Sequence, residues 1–581
     1  MSTTAPASPL PVRREATARA LVTGCVIGGL LAAGNVYTGL KTGFVDTGGI
    51  TAALIAFMVF SGARRLGGSP LGLLENNIVQ TTAASAAIMG FVVGLAGPVP
   101  ALAFFNITMP GWAIAVWGLA AGVLGIAAAV VLRRKLIVDD ALPFPTGRAT
   151  GEVLQTIHAA RDTAIRRALF LSATAAVAAA VTWLRDGPAH LIPQATPFGG
   201  AIAGTAIASL TMGISWSPLL ACTGAMIGPR AGGSFLLGGG IAWVVLAPWL
   251  LHAGIVAEVD FGAMTKWIVW PALGLLVAGS FVPLLLDAGA LRRSLRDLRR
   301  LARGAAAPSD PPSPIERSSR SPALAFLAVA SVLTLLVVGR AVFGIAPAST
   351  IVVVVLALLL TNVSARATGE TDVAPVGAVG MVTQGAFTGA GLVTSLLTGG
   401  VSTGTSSQAC GMLYSLRTGE GVGASTRPQI AAQLLGAAVG AIVVVPSYLL
   451  IVKSYGLRTE ALPAAGAQSW KAMAEAVQGG ALPAHAGLAA ALGLAVGAVL
   501  AMAARTRIGR FVPSPAAMGM AMLVPGSYAV SIFIGAVVVT IVRRARPDLA
   551  ESAVMTVAAG GMAGESIAGV IVAAASALAA L

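Results

Sequence analysis

Charge is scarce in this chain. Only 10% of its 581 residues are Asp, Glu, Lys or Arg, 56% are hydrophobic, and the mean hydropathy is +0.86. A soluble domain carries roughly 25% charged residues, so this composition excludes a water-soluble globule. Cysteine is rarer still: Cys25, Cys222 and Cys410 all lie in or beside apolar segments, with no CxxC pair. That excludes a disulfide framework and makes small apolar packing the expected role. The four histidines are far apart, so no metal-ligand cluster is expected. No GxSxG elbow, HExxH pair or GxxxxGK[ST] phosphate loop is present, which argues against an enzyme and against a nucleotide-driven pump in this chain. No cofactor is expected.

What the chain has in abundance is continuous apolar sequence, interrupted by many of its 71 glycines. The runs do not alternate as the strands of a membrane β-barrel do. The predicted fold is therefore an all-α polytopic membrane protein with discontinuous or re-entrant segments. Span lengths give roughly 14–16 crossings. The net charge of +15 comes from short basic runs between apolar segments, which read as topology signals and not as a nucleic-acid surface. Arg13, Arg14 and Arg19 place a tail over residues 1–18 in the cytoplasm, with the multi-pass chain expected in the cell inner (plasma) membrane. Arg64-Arg65 and Arg133-Arg134-Lys135 mark further cytoplasmic ends. The strongest marker is 291–321, where eight arginines flank an APSDPPSP core. It reads as a flexible cytoplasmic linker between a first membrane half (19–290) and a second (322–581). Residues 453–485, more polar, are expected outside.

Polar groups at membrane depth are costly unless they face a cavity or a partner. The first apolar segment ends in NVYTGLKTG, carrying Asn35, Tyr37 and Lys41. Its glycines suggest an unwound backbone, tolerated only where protein or water covers it. Similar interruptions occur at 142–160, 389–414 and 511–528, the pattern by which transporters bring helix ends to a substrate. The other candidates are Glu75, Asn76, Asn77 and Gln80 in ENNIVQ, Glu152 in TGEVLQ, Glu370 and Asp372 in TGETDVAPVG, Gln384, Gln408, and Glu565 in AGESIAG. Capping or interhelical bonding competes with function for Glu75, Glu370, Asp372 and each amide. Glu152 and Glu565 sit among small and apolar residues with no obvious surface, and proton titration is their expected role.

In order along the chain, NVYTGLKTG, ENNIVQTTAASAA, LPFPTGRATGEVL, TGETDVAPVG, SLRTGEGVGASTRPQ, MAMLVPGSY and GGMAGESIAG resemble the oligopeptide transporter (OPT) family, its bacterial branch, which is related to yellow-stripe-like metal–chelate carriers. The resemblance runs from Asn35 to Gly569. It implies proton-coupled uptake of small peptides, with a metal–chelate symporter as the alternative and a channel or intramembrane enzyme as a remote one. On that reading Asn35, Tyr37, Lys41, Glu75, Asn76, Asn77, Gln80, Gln384 and Gln408 bind substrate. Glu152, Glu370, Asp372 and Glu565 handle protons, and Asn35, Tyr37 and Lys41 converge on a central cavity with the broken elements matched by the acids of ENNIVQ, TGEVLQ and AGESIAG. One departure stands out: SSQACGMLYSLRTG has Cys410-Gly411 where the family usually carries an acid. The expected partners are a small peptide or peptide-like substrate, protons and membrane lipid, without nucleic acid or a bound metal. A homodimer is compatible with the sequence.

Overall fold

The computed structural model describes residues 15–579 except 44, 46, 65–66, 160, 203, 258–259, 287–321, 373 and 478–482. The expected linker at 291–321 and most of the expected N-terminal tail lie outside the described residues. Among the described residues, eleven helices are long and apolar enough to cross a membrane, and shorter apolar helices pack among them.

The first half supplies α1 (Ala18–Thr42), α2 (Gly49–Arg64), α3 (Leu73–Ala87), α4 (Gly111–Arg133), α5 (Pro145–Ala159), α6 (Arg161–Asp186), α7 (Pro218–Gly240) and α8 (Phe261–Leu286). The second half supplies α9 (Pro322–Ala341), α10 (Pro347–Thr371), α11 (Val376–Ala386), α12 (Leu392–Val422), α13 (Thr426–Tyr455), α14 (Ala465–Val477) and α15 (Ala486–Ala503). It ends in α16 (Pro515–Met522), α17 (Gly526–Ala545) and α18 (Pro547–Ala579).

The halves pack through one another. α7 lies along α17, α6 along α18 and α8 along α15. Small residues permit this, since lipid offers no hydrophobic drive between helices and close backbone approach must supply the attraction. A Cβ on Gly224 of α7 would strike the Ile532 carbonyl of α17, and one on Gly535 would strike Ala221 in return.

The interruptions are distributed differently from the sequence expectation. NVYTGLKTG stays helical through Thr42, and only Gly43 turns left-handed (φ 78°) to end α1. Residues 392–422 form one unbroken helix, so the expected break there is confined to 387–391, where Gly389 and Gly391 take positive φ. The 511–528 stretch does break, between α16 and α17 at Leu523-Val524-Pro525. A further break falls inside α7, where Gly228 (φ 78°, ψ 179°) precedes Pro229. Proline removes an amide donor and restricts the residue before it, so the pair interrupts the helix midway.

Between α6 and α7 two short antiparallel ladders form. β1 (Ala195–Pro197) pairs with β4 (Gly213–Ser215), and β2 (Ala201–Ile202) with β3 (Thr205–Ala206). β4 is held to α17 by Ser531, whose hydroxyl accepts from the Ser215 amide and donates to its carbonyl.

Candidate transport site

Tyr37 and Lys41, four residues apart, share one face of α1. Lys41 Nζ donates to the Tyr37 hydroxyl (2.9 Å) and to Glu565 Oε1 (3.0 Å) on α18. The same oxygen accepts from Arg185 Nη2 (2.9 Å) at the end of α6. Arg185 also grips Asp186 through Nε and Nη2 (2.7 and 2.8 Å) and donates to the Trp216 carbonyl (2.9 Å). The Ser217 hydroxyl lies 2.7 and 2.9 Å from the two Glu565 oxygens, and the Leu219 amide donates to Glu565 Oε2 (2.8 Å). Glu565 therefore caps the N-terminus of α7, where exposed amides and the helix dipole favour an anion.

These four ionic side chains are essentially dry: Lys41 and Asp186 are 2% exposed, Arg185 and Glu565 not at all. Two cations face two carboxylates, which is the condition under which buried charge is tolerated. Tyr37 fits because Gly569 on α18 leaves room for its ring. Tyr455 lies 5.5 Å from that ring, and the Tyr528 ring lies 5.8 Å from Lys41 Nζ.

One helical turn away is a chamber of about 270 Å³, lined among others by Thr47, Thr51, Thr146, Thr223, Met226 and Met562. Thr223 bonds back to Leu219, and Ser566, next to Glu565, bonds back to Met562, so two lining residues are a turn from the ionic knot. The break at Gly228 falls beside Met226 and Ile227, both on the wall. Through Thr47 and Thr146 the chamber adjoins a smaller one of about 20 Å³ bearing Gln80, Tyr414, Ser415 and Thr418.

The sequence-predicted residues thus divide. Tyr37, Lys41 and Glu565 meet in the knot. Asn35 instead donates to the Ala87 carbonyl of α3. Asn77 and Gln80 bond each other, and Gln80 lines the smaller chamber. Asn76 is tied to the Ala53 carbonyl. Gln408 donates to Ser85, leaving its buried Oε1 without a partner, as Asn77 Nδ2 also is. Gln384 is apart from these, bonded to the Trp470 carbonyl.

The acids divide likewise. Glu75 accepts from the Gly72 amide at the start of α3 (3.0 Å) and pairs with Arg19 (2.5 Å). Asp372 accepts from the Thr146 amide and hydroxyl (2.9 and 2.7 Å), capping α5 from another helix. Glu370 faces Arg366 (3.6 Å). The expected burial of Glu152 is not met. It is 62% exposed and pairs with Arg148, because α5 is amphipathic and turns that face outward. Nor do all candidates share one cavity, since Glu75, Glu152 and Gln384 lie elsewhere.

Arg185, Asp186 and Ser217 escaped the sequence reading. An arginine closing a long apolar run reads as an ordinary topology marker whether or not an acid follows it, so nothing in the sequence signals the pair.

The sequence matches the family model described as OPT oligopeptide transporter protein over residues 15–576. The chain belongs to the OPT oligopeptide transporter family. A Saccharomyces cerevisiae protein assigned by name to the oligopeptide transporters is 24% identical over 658 residues, covering 90% of this chain and 91% of that one. A Haemophilus influenzae protein likewise assigned is 29% identical over 236 residues (40% and 35% of the two chains). The iron-phytosiderophore transporter YSL15 of Oryza sativa is 32% identical over 173 residues (26% of each). In this OPT chain Gly411 lines the smaller chamber, and Cys410 turns instead to Thr368 (3.3 Å).

Proposed function

We propose that this OPT protein is a secondary active importer of small peptides or peptide-like compounds, driven by protons across the plasma membrane, with its N-terminus in the cytoplasm. The observation that carries the reading is the chamber one helical turn from a buried, charge-balanced knot joining α1, α6, α7 and α18. Such a knot is a switch. A proton on Glu565 removes the anion that Lys41 and Arg185 share, leaving two dry cations with Asp186 as their one carboxylate in the knot. The assembly is then driven to open, which couples proton entry to rearrangement around the chamber. A substrate carboxylate reaching Lys41 or Arg185 would compete for the same cations.

The chamber wall supports breadth over a single shape. Threonine hydroxyls supply hydrogen bonds, while Met226, Met555 and Met562 supply soft, adaptable packing. Gln80, with Asn77 behind it, extends this polar lining. Asp372 and Glu370 serve as supports, Asp372 by fixing the α5 turn that carries Thr146. Glu75, paired at the start of α3, and Glu152, paired with Arg148 on the exposed face of α5, are assigned no part in proton movement. The unit in the membrane is one chain or a homodimer.

The test is uptake by proteoliposomes under an inward proton gradient, using labelled di- to tetrapeptides. Saturable, protonophore-sensitive accumulation is expected, and its absence for every peptide overturns the peptide reading. The second reading, a metal–chelate symporter, is favoured by the similarity to a phytosiderophore transporter. It wins if an iron–chelate accumulates and peptides do not compete.

A further inference from the structure

Away from the knot, a further cavity of about 180 Å³ lies between α8, α14 and the loop 456–464. A water needs about 10–15 Å³ of such space, so a small organic molecule fits. Its described lining includes three cations, Lys266, Arg458 and Lys471, against one carboxylate, Glu475. Glu475 is engaged by Lys471 one turn away, and Asp260, the other acid near Arg458, caps α8 through the Ala263 amide. Lys266 has no anionic partner among the described residues. Arg458 and Lys471 sit against the faces of Phe104 and Phe105, 5.6 and 4.9 Å from the ring centres, which suits cations held out of bulk water.

Two details make this a built site. Arg458 adopts a left-handed backbone (φ 64°), a conformation that persists where surrounding structure imposes it. Its Nε is buried without a hydrogen-bond partner. Gln468 is 3% exposed and donates its amide nitrogen to the Pro463 carbonyl (2.7 Å), which fixes the orientation of the group. Its Oε1 is then a buried acceptor with no donor. The cavity therefore offers cations for anionic oxygens and one acceptor seeking an O–H or N–H.

We infer that this cavity binds a small polycarboxylate that also carries a hydroxyl or amino donor. The site is independent of what the knot and chamber transport. It shares only the loop 456–464, whose Ala464 amide bonds the Leu40 carbonyl of α1.

Isothermal titration of the full chain in phosphatidylcholine nanodiscs tests this, with citrate and with tricarballylate, which has three carboxylates but no hydroxyl. Citrate is expected to bind saturably at one site, and tricarballylate about tenfold more weakly, the loss of one buried hydrogen bond. The double substitution Lys266→Gln, Lys471→Gln is expected to weaken citrate by more than about tenfold while eluting as the wild type does. No saturable citrate binding, equal binding of the two acids, or an unchanged double variant overturns the assignment. Citrate binding that disappears in phosphatidylglycerol discs makes a lipid headgroup the occupant and overturns it too.

Discussion

Arg185 and Lys41 hold Glu565 unequally. Lys41 contacts one carboxylate and a phenol, whereas Arg185 contacts both carboxylates and the Trp216 carbonyl. Removing one partner of a buried pair costs about 3–5 kcal/mol when the other charge is left uncompensated. With Lys41→Met, Glu565 keeps Arg185, Ser217 and the Leu219 amide. With Arg185→Met, Asp186 loses the guanidinium that clasps it. Thermal unfolding of the purified protein should therefore show a larger fall for Arg185→Met than for Lys41→Met. The reverse order would mean that the cations do not share their anions as described. At this scale the sequence already exposed Lys41 and Glu565, because each is an ion embedded in small apolar residues. It hid Arg185, because an arginine ending an apolar run looks like an ordinary surface marker.

Close packing of α7 on α17 depends on two glycines facing backbone. Gly224→Leu is expected to abolish a monodisperse elution peak, whereas Gly62→Ala, with open space at its Cβ, leaves it intact. Equal behaviour of the two would show that the helices separate easily. A different constraint joins the end of α4 to α10, where Asp140 receives Lys135 (2.8 Å) and Arg366 (2.5 Å). Burial pushes the Asp140 carboxyl up, but the hydrogen bonds from Lys135 and Arg366 outweigh it and hold the group below the usual range. An unfolded aspartate titrates at about 3.9, so this contribution is complete above that value. It is lost as pH falls through the lower folded value. Asp140→Asn should thus melt below the wild type at pH 7, with the gap closing in acid; a gap that widens there contradicts the pairing. Helices were the easiest elements to foresee, since long apolar runs have few alternatives in lipid. Their breaks were harder. Hydroxyls of 392–422 such as those of Thr398, Thr405 and Thr418 stay within one helix because carbonyls accept from them. Gly228-Pro229 broke a run that hydropathy alone reads as continuous.

Across the whole molecule, membership of the OPT family and the helical architecture were legible from motif order and composition. Convergence was legible only in part. α1 and α18 meet because the halves interleave, a long-range pairing that no local pattern encodes. Glu152 faces outward because the amphipathic turn of α5 outweighs the look of its neighbours. What unites the molecule is the knot, which ties four helices beside the chamber; under the proposed function, Glu565 is the group through which protons act. Proton-driven uptake in proteoliposomes, comparing wild type with Glu565→Gln that retains a wild-type elution profile, tests this most directly. The wild type is expected to concentrate substrate under an inward proton gradient, and Glu565→Gln is expected not to respond to the gradient. A Glu565→Gln protein that concentrates substrate as the wild type does would contradict this role.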